Sequence, residues 1–204
     1  MSSKPLDFFD SDIKKITRED GCTVYRMHNR TGEGIITKYE VFSGITIFFN
    51  DFHMQDSSNK NKIPRDGILE INHCREGRFE CEFENGDCLY IGAGDLSLHM
   101  LANRTSTTSF PLYHYNGVSI TINIEIAKDS LKAIARVFEC KAVDIDKIIE
   151  VFTKDTWCVL RSQNVIEHIF SELYQVKPEQ LDWYLKIKVL ELLLFLLDIN
   201  ISEY

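Results

Sequence analysis

The sequence has no apolar run long enough to cross a membrane. Its most hydrophobic segment, Leu190–Leu197 (LELLLFLL), falls well short of the ~20 apolar residues that a bilayer span needs; Glu191 interrupts it, and Lys186 and Lys188 interrupt any extension toward the N-terminus. The N-terminus, MSSKPLDFFD, lacks an apolar stretch of signal-peptide length. Positive charge is also short: the formal net charge is -8, and Lys14-Lys15 and Lys60-Asn61-Lys62 are isolated. Without a basic stripe, the chain is not expected to bind nucleic acid by itself. Gly-x-Ser-x-Gly, Gly-Lys-Ser/Thr, His-Glu-x-x-His and His-x-His are all absent, so none of the hydrolase, nucleotide or metalloenzyme signatures they carry is present. These absences point to a cytoplasmic protein, where its six cysteines stay reduced.

What is present is enough material for a full hydrophobic core, with 204 residues of which 44% are apolar. GIITKYEVF and GITIFFNDF, separated by Ser43-Gly44, read as two strands and a turn. Met54–Gly67 is a polar loop. GILEINHC, GRFECEFEN, GDCLYIGAGDLSLHML and GVSITINIEI then continue as short strands with glycine turns, the spacing of an all-β sandwich or barrel. At Asp129 the period changes. Leu131, Ile134, Ala135 and Phe138 share one helical face behind Asp129 or Ser130 as N-cap. VDIDKIIEVF is a second short helix, and SQNVIEHIFSELYQV a third with the stripe Val165, Ile166, Ile169, Phe170 and Leu173. A last helix over about 179–198 is apolar nearly all round and must be buried on more than one side. The expected layout is α+β, with a β domain at about 1–127 and a helical part at about 128–204.

CREGRFECEFENGDC spaces Cys74, Cys81 and Cys88 evenly by seven. With Glu76-Gly77 and Asn85-Gly86 as two-residue turns, Cys74 faces Phe79, Asn72 faces Cys81, Cys88 faces Phe83 and Tyr90 faces Cys81. One sheet face then holds Glu70, Asn72, Cys74, Cys81, Cys88 and Tyr90, while His73 and three glutamates take the other. The inward cysteines are diagonal, about 7–8 Å apart, too far for a disulfide. Seven-residue spacing is also not that of a zinc site. Cysteine as a small buried hydrophobe is the expectation. Glu70 and Asn72 point into an otherwise apolar surface, either satisfied internally or lining a pocket whose walls are Cys74, Cys81 and Tyr90.

The order strand, glycine turn, strand, turn, strand, Gly-Asp step in GILEINHCREGRFECEFENGDCLYIGAGDLSL resembles the sensor domain of AraC-type transcriptional regulators. Gly92-Ala93-Gly94-Asp95-Leu96 stands where that family has Pro-Gly-Asp. His99-Met100-Leu101-Ala102-Asn103 replaces its Pro-Pro-x-x-x-His stretch. Tyr184–Ile199 resembles the helix preceding the DNA-binding half, and SQNVIEHIFSELYQV the helix before it. The resemblance implies a cupin-like jelly-roll β barrel that binds a small-molecule effector, followed by a helical dimerisation subdomain. It implies a homodimer, for which Ile166, Ile169, Phe170 and Leu173 are candidate contacts, as are parts of Leu185–Leu197; the same residues could equally be internal core. DNA would be met only through helix-turn-helix units that this chain does not include. No cofactor or metal is expected, and no enzyme activity. The second reading is a stand-alone cupin-type binding protein or a metal-dependent cupin enzyme.

Overall fold

The computed structural model describes residues 13–19, 21–57, 66–101, 105–152, 157–162, 164–176 and 180–199. The N-terminal arm and most of the polar loop after Met54 lie outside them. The strands are β1 (Ile13–Glu19), β2 (Cys22–Asn29), β3 (Gly32–Phe42), β4 (Ile45–His53), β5 (Asp56–Ser57), β6 (Ile68–Phe83), β7 (Cys88–Gly92), β8 (Leu96–Met100), β9 (Thr105–Ser109), β10 (Tyr115–Asn123) and β11 (Trp157–Leu160). The helices are α1 (Ile124–Val137), α2 (Ile145–Phe152), α3 (Asn164–Leu173) and α4 (Leu181–Asp198).

The pairing is nested and antiparallel. β4 pairs with β10, β5 with β9, the first half of β6 with β8, and its second half with β7. The chain therefore forms one long double-stranded ribbon with its tip near Asn85. Rolling that ribbon up brings β6 against both β10 and β9. That is the jelly-roll arrangement, and the α+β architecture matches expectation.

The expected turn at Glu76-Gly77 does not form. β6 runs unbroken from one sheet row to the other, and the residues that could have turned form a bulge. Asn116 pairs with Glu76 and Gly117 with Cys74, so Arg75 is the extra residue. Gly77 takes φ 84°, and a Cβ there would sit 2.0 Å from the His114 carbonyl oxygen. One extra residue reverses the in–out parity along the strand. Cys74 and Cys81 are therefore both buried facing inward, as expected, though a bulge rather than a hairpin puts them there.

The next turn has three residues, not two. Phe83 N–H donates to Asp87 O (2.9 Å) and Gly86 N–H to Phe83 O (2.9 Å), with Gly86 at φ 88°. This is a type I turn closed by a left-handed glycine. The register becomes Cys81 with Leu89, Glu82 with Cys88 and Glu80 with Tyr90. The one-residue difference turns Cys88 and Tyr90 outward and Leu89 and Ile91 inward.

Two apolar clusters result. Ile45, Ile47, Leu69, Ile71, Leu96, Leu98, Val118, Ile120 and Ile122 lie on the outer face of the β4-β10-β6-β8 row and pack against all four helices. Phe48, Phe52, Cys74, Cys81, Phe83, Leu89, Ile91, Phe110 and Tyr115 fill the barrel interior. α1 starts five residues before the expected cap: Asn123 accepts from Ile126 N–H (3.1 Å), while the Ser130 hydroxyl donates to Ser43 O. β11 is a strand within the helical half that the sequence reading did not contain; it extends the row beside β8.

Ile166, Ile169, Phe170 and Leu173, named above as candidate dimer contacts, belong to the core of the single chain, none more than 4% exposed. The free apolar face is instead on α4. Trp183, Ile187 and Leu194 are 72%, 55% and 57% exposed, and part-buried Leu190 and Leu197 fall between and after them. The 183-187-190-194-197 spacing alternates four and three, the seam pattern of a coiled coil. α3 and α4 are joined by Lys188, whose ammonium reaches Glu172 (2.6 Å) and Glu191 (2.7 Å). Burial pushes the Lys188 pKa down, but the two carboxylates outweigh it and the net direction is up.

Candidate functional site

The inner face of the β4-β10-β6-β8-β11 row carries the chemistry. Antiparallel register lines up Phe48, Ser119, Asn72, Ser97 and Val159 across five strands, and Thr46, Thr121, Glu70, His99 and Trp157 in the next line. Directly opposed side chains share a face. The first line sets polar groups between apolar Phe48 and Val159, and the second is polar from Thr46 to His99 and ends on Trp157.

Asn72, Ser97 and His99 are at most 5% exposed. Asn72 Nδ2, Ser97 Oγ and His99 Nδ1 have no hydrogen-bond partner among the described residues. A buried polar atom without a partner costs about 1–3 kcal/mol, and folded proteins leave few of them. Three on opposed and adjacent positions form a group. Beside them Glu70 Oε2 lies 3.0 Å from His99 Nε2. His99 Nε2 donates to Glu70, which leaves the ring's Nδ1 to face the rest of the group. Asn50 Nδ2 donates to Ser119 Oγ (2.8 Å), so this end of the polar strip is satisfied within the protein. The Phe83 ring meets His99 edge-on at 6.1 Å between centroids, marking where apolar wall meets polar strip. The set is mostly apolar with a few convergent polar atoms, the usual composition of a small-molecule site.

Of the residues predicted to line a pocket, Glu70 and Asn72 are in this group. Cys74 and Cys81 are on the same inner surface. Burial pushes the Cys74 thiol up to about 12, helped by the Asp95 and Glu76 carboxylates, so it stays protonated and unreactive at neutral pH. Tyr90 does not belong. It is on the outer surface with the Arg78 and Arg161 guanidinium groups 4.7 and 4.5 Å from its ring centroid. Asp95, of the Gly-Asp step, is a clamp. Its carboxylate accepts from Gly92 N–H (3.0 Å), Arg161 Nη1 (2.6 Å) and Ser162 N–H (3.1 Å), tying the β7–β8 turn to the end of β11.

Sequence reasoning missed Ser97 and His99. Leu96-Ser97-Leu98-His99 alternates with period two, so the signal was there. What was missing was the pairing of Asn72 with Ser97 and Glu70 with His99.

The reverse side of the same strand meets α3. His73 stacks on Phe170 with centroids 4.0 Å apart and planes 2° apart, and its Nδ1 is 3.2 Å from the Tyr174 hydroxyl. Burial pushes the His73 pKa down to about 4, against a smaller upward pull from Asp95. The ring is therefore neutral at physiological pH. Arg75 covers the Tyr174 ring at 4.7 Å. A displacement of β6 at Asn72 is thus one residue away from a stacked contact with a helix.

No family model matches the sequence, and no curated protein matches it. Several solved structures are partly similar. The apo ToxT K231A structure from Vibrio cholerae strain SCE256 is 13% identical over 72% of this chain and 53% of its own, with a TM-score of 0.45. The AraC-like transcriptional activator CuxR is 12% identical over 92% of this chain and 62% of its own, with a TM-score of 0.40. A cupin 2 conserved barrel domain protein from Salinispora arenicola CNS-205 is 15% identical over 65% of this chain and 98% of its own, with a TM-score of 0.37. The chain thus spans about half the length of ToxT. No helix among the described residues is long and apolar enough to cross a membrane.

Proposed function

We propose that this chain is the effector-sensing and dimerisation part of an AraC-type transcription regulator, binding a small polar molecule inside the barrel. The observation that carries the reading is the group of unpartnered buried atoms on Asn72, Ser97 and His99. It offers an amide donor, a hydroxyl that can donate or accept, and an imidazole nitrogen within one strip. A ligand carrying a carbonyl or hydroxyl beside an N–H or O–H would satisfy all three and recover their desolvation cost. The role is binding rather than catalysis, with DNA contact made by a domain not included in this chain. Binding would draw on Asn72 and, through its neighbour His73, bias how α3 and α4 sit. The second copy would dock along Trp183, Ile187, Leu190, Leu194 and Leu197.

A thermal-shift screen against metabolites tests the site. A genuine ligand raises the melting temperature of the wild type, and Asn72→Ala together with Ser97→Ala removes that rise; an unchanged rise in the double variant would place the site elsewhere. Analytical ultracentrifugation tests the seam. Ile187→Asp with Leu194→Asp is expected to convert a dimer to a monomer, and a wild type that stays monomeric at high concentration overturns the dimer.

A further inference from the structure

A second cluster stands on the outer surface, past the edge of the helices. On β4, Ile45 and Ile47 are covered by the helical layer, but Asp51 and His53 emerge from it, both on the outer face because they are two residues apart. Tyr115 pairs with Phe52, so one further step of the antiparallel register sets His114 against His53. The β6 bulge pairs Glu76 with Asn116, which also pairs with Asp51, and so brings Glu76 to this face as well. Three strands thus deliver two imidazoles and two carboxylates to one spot.

The distances are those of a cluster. One ligand atom from each of Asp51, His53 and His114 lies within 4.8 Å of the others. His53 Nε2 is 3.3 Å from Asp51 Oδ1, and the two imidazole centroids are 4.9 Å apart with planes tilted by 34°. His114 Nε2 is 3.5 Å from Glu76 Oε2, while its Nδ1 is buried with no hydrogen-bond partner among the described residues. A carboxylate holding one ring nitrogen fixes the tautomer and leaves the other with a lone pair, the usual support for a metal-binding histidine.

We propose that Asp51, His53 and His114 form a binding site for a divalent transition-metal ion, with Glu76 positioning His114. Two imidazoles and a carboxylate select zinc, nickel, cobalt or copper over magnesium and calcium, which prefer all-oxygen shells. Metal–ligand bonds of about 2.0–2.1 Å put neighbouring donors roughly 3.3 Å apart in a tetrahedral shell. The exposed Asp51 and His53 side chains can rotate the remaining distance. The Asp51 carboxylate gives the spot a charge opposite to that of the ion, while Glu76 is shared between His114 and the Arg75 guanidinium (3.4 Å). The site faces away from the barrel interior, so it stands or fails independently of the effector reading.

Titration of metal-free protein with Co2+, followed by calorimetry and visible absorption, tests it. One equivalent of Co2+ per chain is expected, without the near-ultraviolet charge-transfer bands of thiolate ligation. His53→Ala with His114→Ala should abolish binding, and Glu76→Ala should weaken it by about 10–100-fold. Circular dichroism should show both variants folded, since His53 and Glu76 are exposed and His114 is only part-buried at the edge of the sheet. Binding that survives in the double histidine variant, thiolate bands from the six free cysteines, or no binding by folded wild type would each overturn the proposal.

Discussion

Ile71 and Asn72 are neighbours on β6, and both are almost fully buried, yet they meet opposite surroundings. Ile71 faces out of the barrel into the layer shared with the helices, where its contacts are apolar. Asn72 faces in, with an amide nitrogen that has no partner among the described residues. The outer face of this row is built for stability: Leu69, Ile71, Leu96, Leu98, Ile120 and Ile122 form a dry seam with α1–α4. The inner face gives up some of that stability by holding desolvated polar atoms. Alternation along each strand is what allows one sheet to do both.

The largest effect should come from breaking the outer face. Ile71→Ala removes a side chain with 0% exposure and is expected to destabilise by about 2–5 kcal/mol, read as a lower urea midpoint at unchanged slope. Next is His73, a buried imidazole on the outer face. Its folded pKa of about 4 lies below the ordinary 6.5, so the unfolded chain takes up the proton first as pH falls. Its contribution to stability is constant above about pH 6.5 and declines between there and about pH 4, by roughly 3 kcal/mol in all. His73→Phe keeps a ring against Phe170 and should flatten that part of the stability–pH curve relative to wild type. An identical slope in both would assign the acid sensitivity to other groups.

Smaller again is Gly86→Ala. The residue sits at φ 88° with open space around it, so the cost is backbone strain alone, about 1 kcal/mol. That turn decides which of Leu89 and Tyr90 enters the barrel, so with Cys88 and Cys140 replaced by serine and Gly86 kept, thiol labelling should find Leu89→Cys protected and Tyr90→Cys reactive. The smallest effect is expected at the inner face. Asn72→Ala deletes an unpartnered donor and should change stability by less than about 1 kcal/mol, although it is nearly as buried as its neighbour. A loss comparable to Ile71→Ala would mean that the amide is satisfied in solution and that the two faces are alike.

Much of this was legible in the residues. Period-two runs marked most of the strands, and the change of period near Asp129 marked the helices, though Asn123 rather than Asp129 or Ser130 caps the first of them. Glu70 and Asn72 stood out because polar side chains interrupted an inward apolar surface. Other features were not legible. Asn85-Gly86 is compatible with a two-residue or a three-residue hairpin, and the choice reverses Cys88 and Tyr90. Glu76-Gly77 is as good a turn as a bulge until β10 lies alongside. The four residues Trp157–Leu160 are too few to show a period, and only β8 makes them a strand. Ile166, Ile169, Phe170 and Leu173 form a stripe that any apolar partner would cover, and here the partner is the chain's own core.

The sequence by itself determined the local terms: which stretches extend, which coil into helices, and where a glycine frees the backbone. These depend on residues within a few positions of one another. Tertiary structure alone decided which distant residues share a face. Ser97 meets Asn72, His99 meets Glu70, and His114 meets His53 because strands far apart in the chain pair in one register. A register is set by the whole rolled ribbon, through hydrogen-bond ladders and a core that must close, and a shift of one residue would exchange inside for outside.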